Sequence, residues 1–159
     1  MKYIFLFSFT FIFKLLYANE GVRCDFEEVY QDGSTQFGNL LFNNGLLRYQ
    51  YNDKDLFTII FNKDYFVIRN DNQNIVNKLE NDAVLNEIRN IITNYPKIKS
   101  SYIQNGVEIK IQNSKEINFP KRISINSDEV NLSIYFINCN FGDFPKRYFQ
   151  PFSLANTTE

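Results

Sequence analysis

Glu27 and Glu28, a scatter of aspartates, a few hydroxyls and two cysteines are the side chains through which this chain could do chemistry, and their spacing argues against a reaction. Adjacent residues of a strand face opposite sides, so the glutamate pair cannot serve one site. Asp53, Asp55, Asp64 and Asp71 fall where turns favour aspartate. Ser34, Thr35 and Ser124 have no base to activate them, because the sequence contains no His. That absence removes the commonest general base near neutral pH and the commonest nitrogen ligand of zinc. Asp71 to Asn74 could be read as a calcium loop, yet it lacks the glycine and the distal glutamate such a loop needs. The residues point to a protein that is not an enzyme and needs no metal or cofactor.

The cysteines, Cys24 and Cys139, matter through the compartment the chain is sent to. Its first residues, MKYIFLFSFTFIFKLLYA, place Lys2 before a chargeless stretch from Tyr3 to Phe13, then Lys14 and a short run to Ala18. This is the pattern of a secretory signal peptide, residues 1–18, cleaved near Ala18. A membrane span needs roughly 20 consecutive apolar residues, and Lys14 interrupts the run well before that. In an oxidising compartment the two cysteines could pair, provided their Cα atoms come within about 7 Å. The first and last strands would then have to approach each other; otherwise both are thiols buried as small apolar residues. Cys24 follows Gly21-Val22-Arg23 and so does not resemble a lipid-attachment cysteine.

Charge narrows the partners. The chain has 17 Lys plus Arg against 18 Asp plus Glu, and loss of the leader leaves a mildly acidic protein with no basic field to attract nucleic acid. Residues 19–159 are of a size for one domain with one core.

Turn residues and alternation set out the elements. Strands are expected over Val22–Tyr30, Thr35–Phe42, Leu46–Tyr51, Leu56–Asn62 and Tyr65–Arg69, with Asn43-Asn44-Gly45 supplying the positive φ of a tight hairpin. From Leu79 to Ile92 apolar residues recur at spacings of three and four, so a helix is expected there, capped by Asn81 or Asp82 and stopped near Pro96. Strands resume at Ser101–Gln104, Val107–Gln112, Lys121–Ile125 and Asn131–Cys139, with a turn at Asn105-Gly106; the aromatic segment beyond Asn140 would add an edge strand, and the last residues would fray. The fold class is mainly β, α+β: an antiparallel, strongly curved sheet whose concave face the helix covers.

Alternation marks Gly38, Leu40 and Phe42, then Leu47, Tyr49 and Tyr51, then Phe57, Ile59 and Phe61, as one apolar surface facing Leu85, Ile88 and Ile92 of the helix. Such a surface suits an apolar ligand. An ordinary packed core would show the same pattern, and periodicity does not separate the two.

Gly38-x-Leu40-x-Phe42 followed by Gly45-Leu46-Leu47-Arg48-Tyr49-Gln50-Tyr51 resembles the signature of the periplasmic lipoprotein carriers of the LolA type, in which a Gly-led strand is followed by K/R-P-G-x-L-R-W-x-Y. Gly45, Leu47, Arg48 and Tyr51 match, and Tyr49 stands for the aromatic Trp. The turn at Asn62-Lys63-Asp64, the helix and Pro120 to Phe136 resemble later parts of that family. The resemblance implies an incomplete antiparallel β-barrel closed by a helical lid, a periplasmic monomer that shields the acyl chains of lipoproteins between an inner-membrane release complex and an outer-membrane acceptor, and a lipid cavity lined by the residues named above. Another lipid cargo, or an exported interaction domain with a packed interior, are the alternatives. Asn43 and Asn44 replace the basic residue and Pro that precede the Gly, removing the Arg expected to hold the lid shut. The few residues between Ala18 and Arg23 leave no room for the family's N-terminal helix.

Overall fold

The computed structural model describes residues 21–71, 76–79, 83–104, 106–128 and 130–151. The expected leader, the capping candidates Asn81 and Asp82, the turn residue Asn105, Asn72 to Asn74 of the calcium reading and the tail from Phe152 onward lie outside them. The strands are β1 (Gly21–Tyr30), β2 (Thr35–Asn43), β3 (Leu46–Tyr51), β4 (Phe57–Asn62), β5 (Asp64–Arg69), β6 (Val76–Leu79), β7 (Ser101–Gln104), β8 (Val107–Asn113), β9 (Pro120–Asn126) and β10 (Asn131–Gly142). A helix, α1 (Ala83–Asn94), separates β6 from β7, and a 3-10 turn, Lys146–Phe149, follows β10.

The strands form one antiparallel sheet in the order β6-β5-β4-β3-β2-β1-β10-β9-β8-β7, and among the described strands the sheet is not closed. Two meanders, β1 to β6 and β7 to β10, are joined by the pairing of β1 with β10. The helix therefore connects the two end strands. At the β2–β3 turn Asn44 and Gly45 both have positive φ, 49° and 81°, the combination a two-residue hairpin needs to follow the twist of its strands.

Where β1 meets β10 the register shifts. Arg23 faces Asn140 and Asp25 faces Ile137, so Asn138 and Cys139 together stand opposite Cys24. Asn138 sits at φ 52°, a left-handed conformation that Asn tolerates better than most non-glycine residues, and its Nδ2 donates to Asp25 Oδ2 at 2.9 Å. This bulge resets the alternation. Leu132, Ile134 and Phe136 lie in the core, and strict period two would send Cys139 to the opposite face; the extra residue returns it to the side of Cys24. The two cysteines form a disulfide with Cα atoms 4.1 Å apart, linking positions 115 residues apart in sequence.

The main core is a single cluster that takes Val22, Cys24 and Phe26 from β1, Leu40 from β2, Leu47 and Tyr49 from β3, a set of aliphatics from β8 to β10, and Ile88, Ile91 and Ile92 from α1. The helix thus packs against apolar residues of both meanders. It is shorter than the spacing of its apolar residues implies. Leu79 pairs with Tyr65 in β6, because a residue two after Asn77 satisfies strand alternation as readily as helical period, and α1 begins at Ala83.

Among the described residues, the segment after Asn140 forms no separate edge strand. Strand β10 itself runs on to Gly142, and the chain then crosses to the other face of the sheet, where Phe149 is fully buried with Ile60 and Ile68. Asn43 Nδ2 donates to Phe144 O at 2.7 Å and to Asp143 Oδ1 at 3.2 Å, and Asn62 Nδ2 donates to Phe149 O at 3.3 Å, so side chains of β2 and β4 satisfy this segment's acceptors in place of a strand ladder.

Two outcomes follow from the bulge. Asn138→Gly should leave the midpoint of thermal unfolding nearly unchanged, whereas Asn138→Val, which disfavours positive φ, should lower stability by roughly 1–3 kcal/mol. Cys24→Ala with Cys139→Ala should cost about 2–5 kcal/mol in denaturant unfolding, and the unaltered protein should take up two alkyl groups after reduction and none before.

Candidate functional site

Paired residues of neighbouring strands share a face, so the register places the expected lining in rows. Leu40 stands opposite Tyr49, which stands opposite Ile59; Phe42 stands opposite Leu47, which stands opposite Phe61; Gly38 stands opposite Tyr51. Leu40, Leu47 and Tyr49 are fully buried, and Phe42, Tyr51 and Ile59 are half-buried against the same cluster. Leu85, Ile88 and Ile92 are buried on α1. Ile91 of the same helix face joins them in the core, and Phe61, also expected in the lining, lies half-buried beneath the Arg89 guanidinium at 3.7 Å from its ring centre. Phe57 departs from the expectation. It lies beyond the last β3–β4 pair, Gln50 with Thr58, so no β3 residue covers it, and it is 42% exposed.

The tyrosines of the row do more than present apolar rings. Glu28, 3% exposed, accepts hydrogen bonds from three phenols: Tyr49 donates to Oε1 at 2.7 Å, and Tyr30 and Tyr51 donate to Oε2 at 2.6 and 3.0 Å. Strand β2 runs between Glu28 on β1 and the two tyrosines on β3. The bridge across it depends on Gly38. A Cβ there would meet the Phe26 ring and the Gln50 carbonyl oxygen, so glycine lets Phe26 lie over β2. Tyr49 then stacks on Phe26 at 4.0 Å between ring centres, and Tyr51 meets both rings edge-on at 5.6 and 5.7 Å.

Burial, reinforced by the Glu28 charge, raises the pKa of all three phenols, that of Tyr30 to about 12. Sequence reasoning set Glu28 aside because its neighbour faces the other way. The usable signal was that Glu28 has the same parity as Cys24, Phe26 and Tyr30, on the strand face that carries the core.

A second buried carboxylate belongs to the helix. Glu87, 7% exposed, accepts from Tyr102 of β7 at 3.1 Å and from Asn90 at 3.3 Å. Burial and the Glu87 charge together raise the Tyr102 pKa. Glu87 also borders a groove of about 470 Å³ with Ala83, Asn86, Arg89 and Asn90 on the helix and Gln104 and Val107 on the adjoining hairpin.

Arg48, a matched residue of the resemblance, serves the opposite face. It pairs in register with Leu41 and Ile60, donates to Gln50 Oε1 through Nε at 3.1 Å and Nη2 at 2.7 Å, and donates to the Tyr148 carbonyl at 3.2 Å. Burial pushes its pKa down to about 10, which leaves it charged at neutral pH. Asn43, in the place of the family's basic residue, holds the same C-terminal segment. These two positions therefore fasten the segment from Asp143 to Tyr148 to the face of the sheet opposite the main core.

No protein-family model matches this chain, and no curated protein matches its sequence.

Because the folded pKa values of Tyr30, Tyr49 and Tyr51 lie above the unfolded value near 10, their contribution to stability is complete below pH 10 and is lost as pH rises toward 12 and beyond. An absorbance titration should show these phenols silent at pH 10 while exposed tyrosines ionise, then ionising together with unfolding. Glu28→Gln, which presents an amide N–H₂ to phenol donors, should lower stability by on the order of 3 kcal/mol and bring the phenol titration down toward pH 10.

Proposed function

We propose that this chain is an exported carrier that shields the acyl chains of lipoproteins in transit between two membranes of the periplasm. In this reading the sheet wraps round as an incomplete barrel, and α1 lies over its concave side as a lid. A related amphiphile on the same fold is the near alternative as cargo.

The observation that carries the proposal is the place of the helix. It links β6 and β7, the two strands at the ends of the sheet order, and Ile88, Ile91 and Ile92 contribute to one apolar cluster with residues of both meanders. Lifting such a helix would expose a continuous apolar surface bounded by Leu40, Leu47 and Phe61. Each methylene moved from water onto that surface gains about 0.8 kcal/mol, so an acyl chain can replace the isoleucines of the lid at little net cost. The Arg89 guanidinium over Phe61 and the Tyr102 to Glu87 hydrogen bond are weak, reversible fastenings for a cover that must open. The leader-like first residues and the Cys24–Cys139 bond fit an oxidising destination. The partners that go with the reading are an acylated polypeptide, a release complex at the inner membrane and an acceptor at the outer one.

One observation favours a second reading, an exported interaction domain whose interior is permanently filled. Phe26 and Tyr49 are stacked, and Leu40 and Leu47 have no exposed surface, so side chains occupy much of the wall between β1 and β3.

Uptake of the neutral fluorophore N-phenyl-1-naphthylamine separates the two. A carrier should bind it saturably, and Ile91→Ser, which weakens the lid's apolar face, should speed its entry while leaving the β-sheet circular dichroism intact. A filled domain should give no saturable signal, and Leu47→Glu in such a domain should simply unfold it.

A further inference from the structure

Resting on the carrier reading, we infer that the site accepts amphiphiles whose polar end is neutral or cationic and rejects anionic ones such as free fatty acids. Among the described residues the buried charged side chains are Glu28, Arg48 and Glu87. Arg48 belongs to the face opposite the main core, where it pairs with Leu41 and Ile60. Both buried charges on the core side are therefore carboxylates. They arise independently, one on β1 held by three phenols and one on α1 held by the Tyr102 phenol and the Asn90 amide, and neither is held by a base among the described residues.

Neither carboxylate takes part in the ion pairs found among the described residues, which join Arg69 to Asp71, Lys78 to Asp64 and Lys110 to Glu108. Arg89, on the same helix as Glu87, is half-buried with its guanidinium over Phe61. It offsets one negative charge of two. Among the described residues Glu28 Oε1 accepts one hydrogen bond, from Tyr49, where a carboxylate oxygen can take two, so a guest bearing an N–H or O–H donor meets an acceptor that is more than nine-tenths buried.

A guest drawn onto this wall leaves water and enters a region where charges are poorly screened. At a separation near 10 Å and an effective dielectric constant of about 20, one unit of charge on the guest changes its affinity roughly tenfold. Attraction favours an ammonium and repulsion disfavours a carboxylate. Acyl chains joined to a polypeptide through esters and amides bring no charge at the junction, and their amide N–H groups suit the acceptor. A free fatty acid brings the same hydrocarbon with the wrong sign.

Displacement of N-phenyl-1-naphthylamine from the full chain by three amphiphiles of one tail length tests this: dodecyltrimethylammonium, glycerol monododecanoate and dodecanoate, each below its critical micelle concentration at low ionic strength. The ammonium and the monoglyceride should displace the fluorophore, and dodecanoate should need a concentration about tenfold or more higher. Glu87→Gln should narrow that gap by roughly tenfold, and Glu28→Gln should do the same if it folds. Dodecanoate competing as well as the other two in the unaltered protein would overturn the inference and leave the carrier reading intact. A gap that Glu87→Gln does not narrow would overturn it as well. If the fluorophore itself does not bind saturably, the carrier reading fails and takes this inference with it.

Discussion

The pairing of β1 with β10 is the constraint on which the rest of this structure depends. Among the described strands it is the sole ladder joining two meanders that are otherwise connected only through a helix. If β1 paired on one side alone, the residues of β8 to β10 and those of β2 to β4 would have no common cluster, and α1 would have no surface against which to bury its isoleucines. The bulge at Asn138 and the disulfide it makes geometrically feasible sit in this ladder, where a covalent link constrains the largest loop of the unfolded chain.

A second tension runs through the core. Removing a carboxylate from water costs on the order of several kcal/mol, and here no base repays it. Three hydrogen bonds to a charged acceptor, each contributing about 1.5–3 kcal/mol, offset a penalty of that size. Their geometry reaches back into the sequence. The phenols come from β1 and β3, the strand between them must be flat at the crossing, and Gly38 meets that need. The arrangement ties together three strands by side chains as well as by their ladders. The wall of β1 to β3 is therefore rigid and filled, and any volume for a guest lies on the helix side of it. Arg89 and Glu87 belong to the movable part of the proposed site, and Tyr102 and Glu28 with its tyrosines to the fixed part.

Much of the architecture was legible because its signals are local. Asn44-Gly45 specifies a hairpin through positive φ, and the alternation of Leu40, Leu47 and Tyr49 specifies a shared face. The features that escaped were those in which a distant partner overrides a local pattern. Leu79 fits helical and strand periods equally, and its place in β6 is decided by Tyr65. The phase of Cys139 depends on one extra residue opposite Cys24, which the alternation of β10 alone does not reveal. The course of the chain after Gly142 is decided by Ile60, Ile68 and Arg48 on the outer face, so its aromatics pack there instead of extending the sheet. Of the candidate lining, Phe57 is exposed for a related reason, since strand membership does not guarantee a neighbour on both sides. Glu28 belongs with these features, because its neighbour Glu27 faces the other way and its partners Tyr49 and Tyr51 lie two strands away.

Native mass spectrometry of the protein, purified without detergent from the periplasm to which the carrier account assigns it, tests the central claim most directly. The carrier account predicts a fraction of the protein with added mass released as lipid or as an acylated polypeptide on collisional activation, beside a bare form two hydrogens lighter than the reduced chain. A bare form alone, under conditions in which lipid complexes of other soluble carriers survive, contradicts it.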